Sequence, residues 1–187
     1  LEDEEINNGS RYSQMRCKTR KALKAGYTFR KIAPLDHLDA ILRINRSSMV
    51  RQGGEMPADY VNRDEVLAEM DRNGDWFGVF GADDRLEAYA YVPIFGEAFV
   101  FWKILGNADL LEQGIVYLLV DGTMRAMTAR RRETGGPLWG MYDMYIGGGD
   151  GLREFKRRTG FEPYRVTWRW TGSALQSAGQ VAVATGR

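Results

Sequence analysis

The chain has 187 residues, and its 44% hydrophobic and 12% aromatic content is typical of one globular domain and excludes a largely disordered protein. Its 26 basic and 25 acidic residues nearly cancel, which excludes nucleic-acid binding driven by the overall charge. The single cysteine, Cys17, excludes an internal disulfide and predicts a reducing, cytoplasmic location, and no apolar run approaches the roughly 20 residues of a membrane span.

The first 26 residues combine an acidic N-terminus with a basic helix. Four of the first five residues are acidic, and residues 13–25 read as a helix rich in lysine and arginine, which Ser13 caps and Gly26 ends. Such a helix can bind RNA, including tRNA, or it can pack on one face and leave its charges in water. Both interpretations stay open. The chain starts at Leu1 rather than methionine, so upstream sequence stays open as well.

Hydrophobic periodicity predicts an alternation of strands and helices between residues 27 and 170, followed by a small, polar, flexible tail over 171–187. The predicted elements are a strand 27–32, helices 35–50 and 57–72, strands 76–80, 85–93 and 98–105, a helix 110–132, a strand 138–146, a helix 151–159 and a strand 164–170. A meander followed by strand–helix–strand units predicts one α/β (α+β) domain, with a mixed twisted sheet and helices on both faces.

The last strand–helix–strand unit has the most informative pattern. A glycine run, 147–149, follows its first strand, Asp150 is the expected cap of the short helix, and Gly160 is its expected left-handed end.

The element order over 27–170 resembles the GNAT fold of N-acetyltransferases. In that family two parallel strands splay apart and acyl-CoA enters the gap, with its pyrophosphate at the start of the long helix, where free N–H groups favour an anion.

The resemblance implies that acyl-CoA, as a co-substrate, binds around residues 111–116. The family pattern there is Gln/Arg-x-x-Gly-x-Gly/Ala, and this chain keeps Gly114 in register. Leu111 replaces the basic or amide residue, Val116 replaces the second small residue, and Glu112 adds negative charge beside the expected pyrophosphate. The donor-binding residues that the resemblance implies are Leu105, Gln113, Gly114, Ile115 and Val116.

A second part of the resemblance concerns Lys156. When the chain is aligned on Gly160-Phe161, Lys156 takes the place of the tyrosine that acts as general acid in the GNAT family. The pair Phe155-Lys156, the basic helix and Tyr142-Asp143 resemble the Fem-type aminoacyl and peptidyl transferases, a branch of this fold that uses aminoacyl-tRNA. Fem-type proteins normally carry two such subdomains, and this chain has length for one.

Acyl transfer to an amine needs a base, donors for the carbonyl oxyanion and an acid for the leaving group. Lys156 is interpreted as a fixed cation near the developing charge, or as a surface lysine. Asp143 fits a base or a group that orients the amine, and equally an ion-pair partner of an arginine. Tyr145 fits a proton donor or a core residue. Glu97 fits a base or a turn residue.

No metal site is predicted, because His37 is the only histidine, and no nucleophile is convincing, since Cys17 reads as an incidental thiol. The sequence therefore predicts an N-acyltransferase that moves an acyl group from acyl-CoA, or an aminoacyl group, directly to the amine of a small molecule or peptide. The alternatives are a Fem-like transferase that depends on aminoacyl-tRNA, and a non-catalytic GNAT-like module that binds RNA, a nucleotide-sugar or a protein.

Overall fold

The chain alternates between short strands and helices, and the computed structural model describes residues 9–51, 54–142 and 149–169. In chain order the elements are α1 (Ser13–Lys24), β1 (Thr28–Lys31), α2 (Leu38–Arg46), β2 (Val50–Arg51), β3 (Gly54–Glu55), α3 (Ala58–Val61), α4 (Arg63–Met70), β4 (Asp75–Phe80), β5 (Leu86–Val92), β6 (Ile94–Phe95), β7 (Ala98–Val100), β8 (Lys103–Gly106), α5 (Ile115–Thr134), β9 (Trp139–Met141) and α6 (Asp150–Arg158). Short 3-10 helices, Ser10–Tyr12, Pro34–His37 and Ala108–Gln113, precede α1, α2 and α5.

A central antiparallel sheet has the strand order β1-β4-β5-β8, and a smaller sheet has the order β6-β7-β9. Consecutive residues of a strand point to opposite faces, so Phe77 enters the core under α1 and α5, while Trp76 enters the core under α2 and α4. β7 and β9 run parallel, and the other pairs are antiparallel. The predicted mixed sheet with helices on both faces is confirmed.

The basic helix α1 packs on the same core as the rest of the domain. Met15 and Ala22 are buried against α5, while most of its lysines and arginines stay at the surface. Gly26, with a φ of 87°, ends the helix as predicted. Ser13 is not the cap, because the helix begins at Ser13 and the preceding Tyr12 makes no side-chain cap hydrogen bond.

Capping explains why the predicted helix 57–72 is divided. The Asn62 Oδ1 accepts hydrogen bonds from the N–H groups of Asp64 (2.9 Å) and Glu65 (3.3 Å), so Asn62 begins α4 and ends α3. The predicted helix 110–132 begins later than expected. Gly114 has a left-handed φ of 84°, which is incompatible with an α-helix, so α5 begins at Ile115.

Two predictions near the C-terminal end are changed, and one is confirmed. The short helix begins at Asp150, with Gly149 in the cap position, so Asp150 is not the cap and instead pairs with Arg153. Gly160 has the expected left-handed φ of 90°. Residues 164–169, expected in a strand, have no regular secondary structure. Parts of two predictions, the strand over 143–146 and the tail over 171–187, lie outside the described residues. None of the described helices combines the length and apolar character that crossing a bilayer requires.

Candidate active site

The small sheet contains one parallel pair of strands, β7 with β9, whose described pairing is short. β7 pairs with β9 from Ala98↔Trp139 to Val100↔Met141. The next bond, from the Phe101 N–H to the Met141 carbonyl at 2.8 Å, continues this pairing by one residue. Beyond it, β8 pairs with β5 on one side, and no described strand pairs with its other side. The strand predicted over 98–105 is therefore two strands, and the second, β8, has one edge that no strand covers among the described residues.

A β-bulge lies between the segment that pairs with β9 and the segment that pairs with β5. Both Trp102 and Lys103 lie opposite Tyr91, because the Trp102 N–H donates to the Tyr91 carbonyl at 3.1 Å and Lys103 is the register partner of Tyr91. Phe101 and Ile104 belong to the core under α5. Lys103 lies on the opposite face, where it contacts Asp59 of α3 and Glu69 of α4.

Lys156 is a buried cation beside the end of β9. Its side chain is only 1% exposed, so it is not an ordinary surface lysine. Its Nζ lies 4.6 Å from the centroid of the Tyr142 ring, and Tyr142 directly follows the last residue of β9. A desolvated cation over an aromatic face is stabilised by about 2 kcal/mol. The ammonium is therefore held where the parallel strands stop pairing.

Aromatic rings around Tyr142 pack α6 against the sheet. Tyr142 contacts Phe155 (6.3 Å between ring centroids), Phe161 (5.4 Å) and Phe101 (6.0 Å), and Phe155 also contacts Tyr117 of α5 (5.1 Å). Because the Lys156 side chain is buried, bulk water is largely excluded from it, and its interaction with a developing negative charge is stronger than in solvent.

The end of α6 is tied to the N-terminal segment. The Phe161 N–H donates to the Lys156 carbonyl at 2.9 Å, and an added Cβ at Gly160 would lie 2.4 Å from the Tyr12 ring. The Arg11 guanidinium donates to the Gly160 carbonyl at 3.3 Å. On the outer face of α6, hydrogen bonds from the Arg157 and Arg158 side chains lower the pKa of Glu154 to about 2.

The expected donor loop lies against α1. An added Cβ at Gly114 would lie 2.4 Å from the backbone oxygen of Lys18, so the glycine permits close approach of the two helices. The Lys21 Nζ donates to the Glu112 carbonyl at 2.7 Å, and the Lys18 Nζ lies 3.4 Å from the Glu112 carboxylate. Helix α1 therefore brings two ammonium groups to the start of α5, where Leu111 replaces the basic residue of the family pattern.

Apolar side chains leave little space for an acyl donor between the loop at Gly114 and β8. An added Cβ at Gly106 would lie 2.8 Å from Val116 Cγ2, 3.1 Å from Leu111 Cδ2 and 3.2 Å from Ile115 Cδ1. A cavity of about 170 Å³ lies at the same end of β8, lined by Gly106, Leu111 and residues that follow α2. The loop at Gly114 thus has the Lys18 and Lys21 ammonium groups nearby, and it leaves little space for a donor beside Gly106.

The other predicted site residues take separate positions. Glu97 is exposed, and its carbonyl accepts from the N–H groups of Leu138 (2.8 Å) and Trp139 (3.0 Å), which places it at the paired end of β7 and β9. Leu105 is buried in the core under α2 and α4, Ile115 is buried in the core under α5, and Gln113 is partly exposed. Asp143 and Tyr145 lie outside the described residues.

The sequence reasoning missed a buried charged cluster on the face of the sheet that α3 and α4 cover. The Lys103 Nζ lies 2.8 Å from Glu69, 3.5 Å from Asp59 and 3.9 Å from the centroid of the Tyr60 ring. Burial, and then the charge of Glu69, raises the pKa of the neighbouring Tyr91. The available signal was a lysine inside an apolar, aromatic strand, where an unpaired charge is costly.

No protein-family model and no curated protein matches the sequence. Solved structures with a similar fold include the aminoglycoside 6′-N-acetyltransferase AAC(6′)-Ih from Acinetobacter baumannii, with a TM-score of 0.54, 12% identity, and coverage of 79% of this chain and 99% of that chain. AAC(6′)-Iy, in complex with a bisubstrate analogue containing CoA, has a TM-score of 0.52, 15% identity and coverage of 79% and 99%.

L-PGS from Bacillus licheniformis has a TM-score of 0.53 and 12% identity, over 81% of this chain and 52% of that chain. In two further matched structures, this chain spans 61% and 38% of the other chain. The fold is therefore that of the GNAT acetyltransferases, as the element order predicts. At these identities the likeness concerns the fold alone, and the Fem-type resemblance stays a prediction.

Proposed function

We propose that the chain is an N-acyltransferase, in which an acyl donor and an amine meet beside Lys156, near the edge of β8 that no described strand covers. The observation that carries the proposal is the burial of Lys156, which is 1% exposed and lies against the ring of Tyr142 at the end of β9. Burying an ammonium is costly, and ionisable groups held in this way are concentrated at functional sites. The GNAT fold supports the same assignment.

The proposed reaction is direct transfer. The neutral amine attacks the acyl carbonyl carbon, a C–N bond forms, and the bond from that carbon to the thioester sulfur or ester oxygen breaks. The new amide nitrogen loses one proton and the leaving group gains one. The Lys156 ammonium stabilises the negative charge that develops on the carbonyl oxygen or leaving atom. Asp143 and Tyr145, which follow Tyr142 in the chain, are proposed as base and proton donor.

Acyl-CoA is the first candidate donor. The free N–H groups at the start of α5 and the ammonium groups of Lys18 and Lys21 favour a pyrophosphate beside Gln113, Gly114, Ile115 and Val116. AAC(6′)-Iy, which has this fold, was solved with an analogue containing CoA. The backbone of Leu105 is proposed to line the path of the donor along β8. Glu97 is left out of the mechanism because it lies at the paired end of the strands.

Aminoacyl-tRNA is the second candidate donor, and a specific feature of the loop favours it. Leu111 and Val116 narrow the path along Gly106, and the adjoining helix α1 presents exposed basic side chains at Arg20, Lys21 and Lys24. A polynucleotide donor would use these charges without threading a pantetheine chain past Val116.

Calorimetry with acetyl-CoA and with aminoacyl-tRNA, followed by transfer assays with the donor that binds, tests the proposal. For an acyl-CoA enzyme we expect saturable binding of acetyl-CoA, which Val116→Ala strengthens because it restores a small residue in the loop. For the second candidate we expect no binding of acetyl-CoA. We expect tRNA to bind with an affinity that falls steeply as the salt concentration rises. A chain that binds neither donor and transfers no acyl group is not an acyltransferase.

A further inference from the structure

We infer that Glu87 is a positioning residue for the loop 107–114, which leads into α5, and that it acts on donor binding through Asn107. The inference rests on the proposed acyl transfer and adds a residue that takes no part in the reaction itself. Glu87 is a charged residue of β5 with only 6% exposure. Because a buried carboxylate is costly unless it is paired, its partners indicate what it holds in place.

A β-bulge in β5 directs Glu87 towards α2. The residues of β5 that lie opposite Val79 and Phe80 of β4 are two positions apart, so Glu87 between them is the extra residue of the bulge. The Arg43 side chain of α2 donates to the Glu87 carboxylate at 3.0 Å and also to the Leu86 carbonyl. A charge-assisted hydrogen bond therefore neutralises the carboxylate on the side of α2.

Two hydrogen bonds connect Glu87 to Asn107, the first residue of the loop 107–114. The Glu87 carbonyl accepts from the Asn107 N–H at 2.8 Å, which extends the pairing of β5 with β8 by one residue. The Glu87 carboxylate accepts from the Asn107 Nδ2 at 2.9 Å. The first bond fixes the backbone of Asn107. The second fixes its side-chain amide, with the nitrogen towards the carboxylate and the oxygen away from it.

The orientation of the Asn107 amide decides whether the loop 107–114 is capped. The Asn107 Oδ1 accepts from the Asp109 N–H at 3.3 Å and so caps the short 3-10 helix Ala108–Gln113. An amide has one oxygen and one nitrogen, and only one orientation offers the oxygen to Asp109 and the nitrogen to Glu87. The Glu87 carboxylate thus selects the orientation that caps the helix.

Further hydrogen bonds join this cap to the start of α5. The Asn107 carbonyl accepts from the Leu110 N–H at 3.0 Å. One turn later, the Leu111 carbonyl accepts from the Gly114 N–H at 3.1 Å. Gly114 is the residue before α5, whose free N–H groups lie where donor phosphates are expected. A displacement of Asn107 therefore moves these N–H groups away from the positions that bind the donor.

Glu87→Met tests the inference, because methionine keeps the length of the side chain and removes both carboxylate oxygens. The donor is acetyl-CoA or aminoacyl-tRNA, whichever the unmodified chain binds, and we expect its Kd to rise about tenfold. The kcat with saturating donor and the KM for the amine should stay within about twofold, because the variant leaves Lys156 unchanged. Glu87→Gln keeps an acceptor oxygen for the Asn107 Nδ2 and should retain most of the affinity.

The matched control is Glu69→Met, since Glu69 is also a buried carboxylate, 6% exposed, and pairs with Lys103 at 2.8 Å, outside the loop 107–114. A folded Glu69→Met variant should bind the donor as the unmodified chain does. Amide hydrogen exchange provides a second measurement that needs no donor. In Glu87→Met the amides of Asp109 and Leu110 should exchange about tenfold faster than in Glu69→Met, because their cap is lost.

Three results would overturn the inference: unchanged donor affinity in a folded Glu87→Met variant, unchanged exchange at Asp109 and Leu110, or an equal loss of affinity in Glu69→Met. Failure of the proposed function is a separate result. If the unmodified chain binds neither donor and transfers no acyl group, it is not the proposed enzyme, and exchange of the loop amides still decides whether Glu87 holds the loop.

Discussion

The Lys156 ammonium lies 4.6 Å from the centroid of the Tyr142 ring, and Tyr142 is the residue after Met141, whose carbonyl accepts the bond that ends the pairing of β7 with β9. One contact thus connects a helix, α6, to the end of β9. A cation fixed in this way needs no reorganisation when negative charge develops beside it, which is the physical basis of electrostatic preorganisation.

We expect Lys156→Met to lower kcat by about 100- to 1000-fold, the usual cost of losing one preorganised group that stabilises an oxyanion. Methionine keeps the length and apolar stem of the side chain, so the aromatic surroundings remain filled. The transfer rate is measured with saturating donor and amine, and circular dichroism shows whether the variant is folded at the assay temperature.

The matched control is Arg157→Met, which removes a cation from the next position of α6, where the side chain is exposed and pairs with Glu154. Its kcat should stay within about twofold, because a screened surface ion pair contributes little. A folded Lys156→Met variant with unmodified kcat would remove Lys156 from the proposed mechanism.

Gly114→Ala should destabilise the fold by about 2–4 kcal/mol, because it combines two costs. A left-handed φ costs alanine about 1 kcal/mol, and the new Cβ would lie 2.4 Å from the Lys18 backbone oxygen, which forces α1 and α5 apart. Urea denaturation gives the change in the free energy of unfolding. Gly135→Ala isolates the first cost, since Gly135 has a φ of 80° and its added Cβ would meet no atom within 4 Å. Equal losses in the two variants would show that the contact between the helices contributes nothing.

Lys21→Met should weaken the binding of the preferred donor about tenfold and reduce the dependence of its affinity on salt. The Lys21 ammonium is held at the Glu112 carbonyl, beside the start of α5, where donor phosphates are expected. Lys24→Met, at the last position of the same helix, is the control and should have a smaller effect. Titrations at two ionic strengths distinguish the variants, and identical salt dependence in both would place the phosphates away from this loop.

Tyr91 should titrate above the ordinary tyrosine pKa of 10.0, because burial, and then the negative charge of Glu69, opposes its ionisation. The stability that the neutral phenol contributes is fully present below the unfolded-state pKa of about 10, and it is lost as the pH rises through the higher folded-state value. Tyr91→Phe should therefore reduce the loss of stability in alkali, measured as unfolding midpoints on both sides of this range.

Glu69→Gln should lower the pKa of Tyr91 towards 10.0 without reaching it, since burial is the larger cause. Spectroscopic titration of tyrosinate, with the Tyr91→Phe variant subtracted, measures the shift. An unchanged pKa in Glu69→Gln would mean that the cluster at Lys103 does not act on Tyr91.

Local patterns were sufficient to predict the element order. The glycines at 26 and 160 and the apolar periodicity of α5 act within a few residues, so the order of strands and helices, and with it the GNAT fold, followed from the sequence. Predictions failed where a single side chain or a backbone angle overrode the pattern. Asn62 capped a new helix, and the left-handed Gly114 delayed the start of α5.

By itself, the sequence determined the fold class, the left-handed ends of α1 and α6, and the choice of Lys156 as a candidate, because these depend on residue type and spacing along the chain. Only the tertiary structure decided that Lys156 is buried beside the end of β9, that α1 covers the loop at Gly114, and that Lys103 contacts Glu69 and Asp59. Those features depend on contacts between segments far apart in the chain. Their free energies are set by burial and distance, which no local pattern contains.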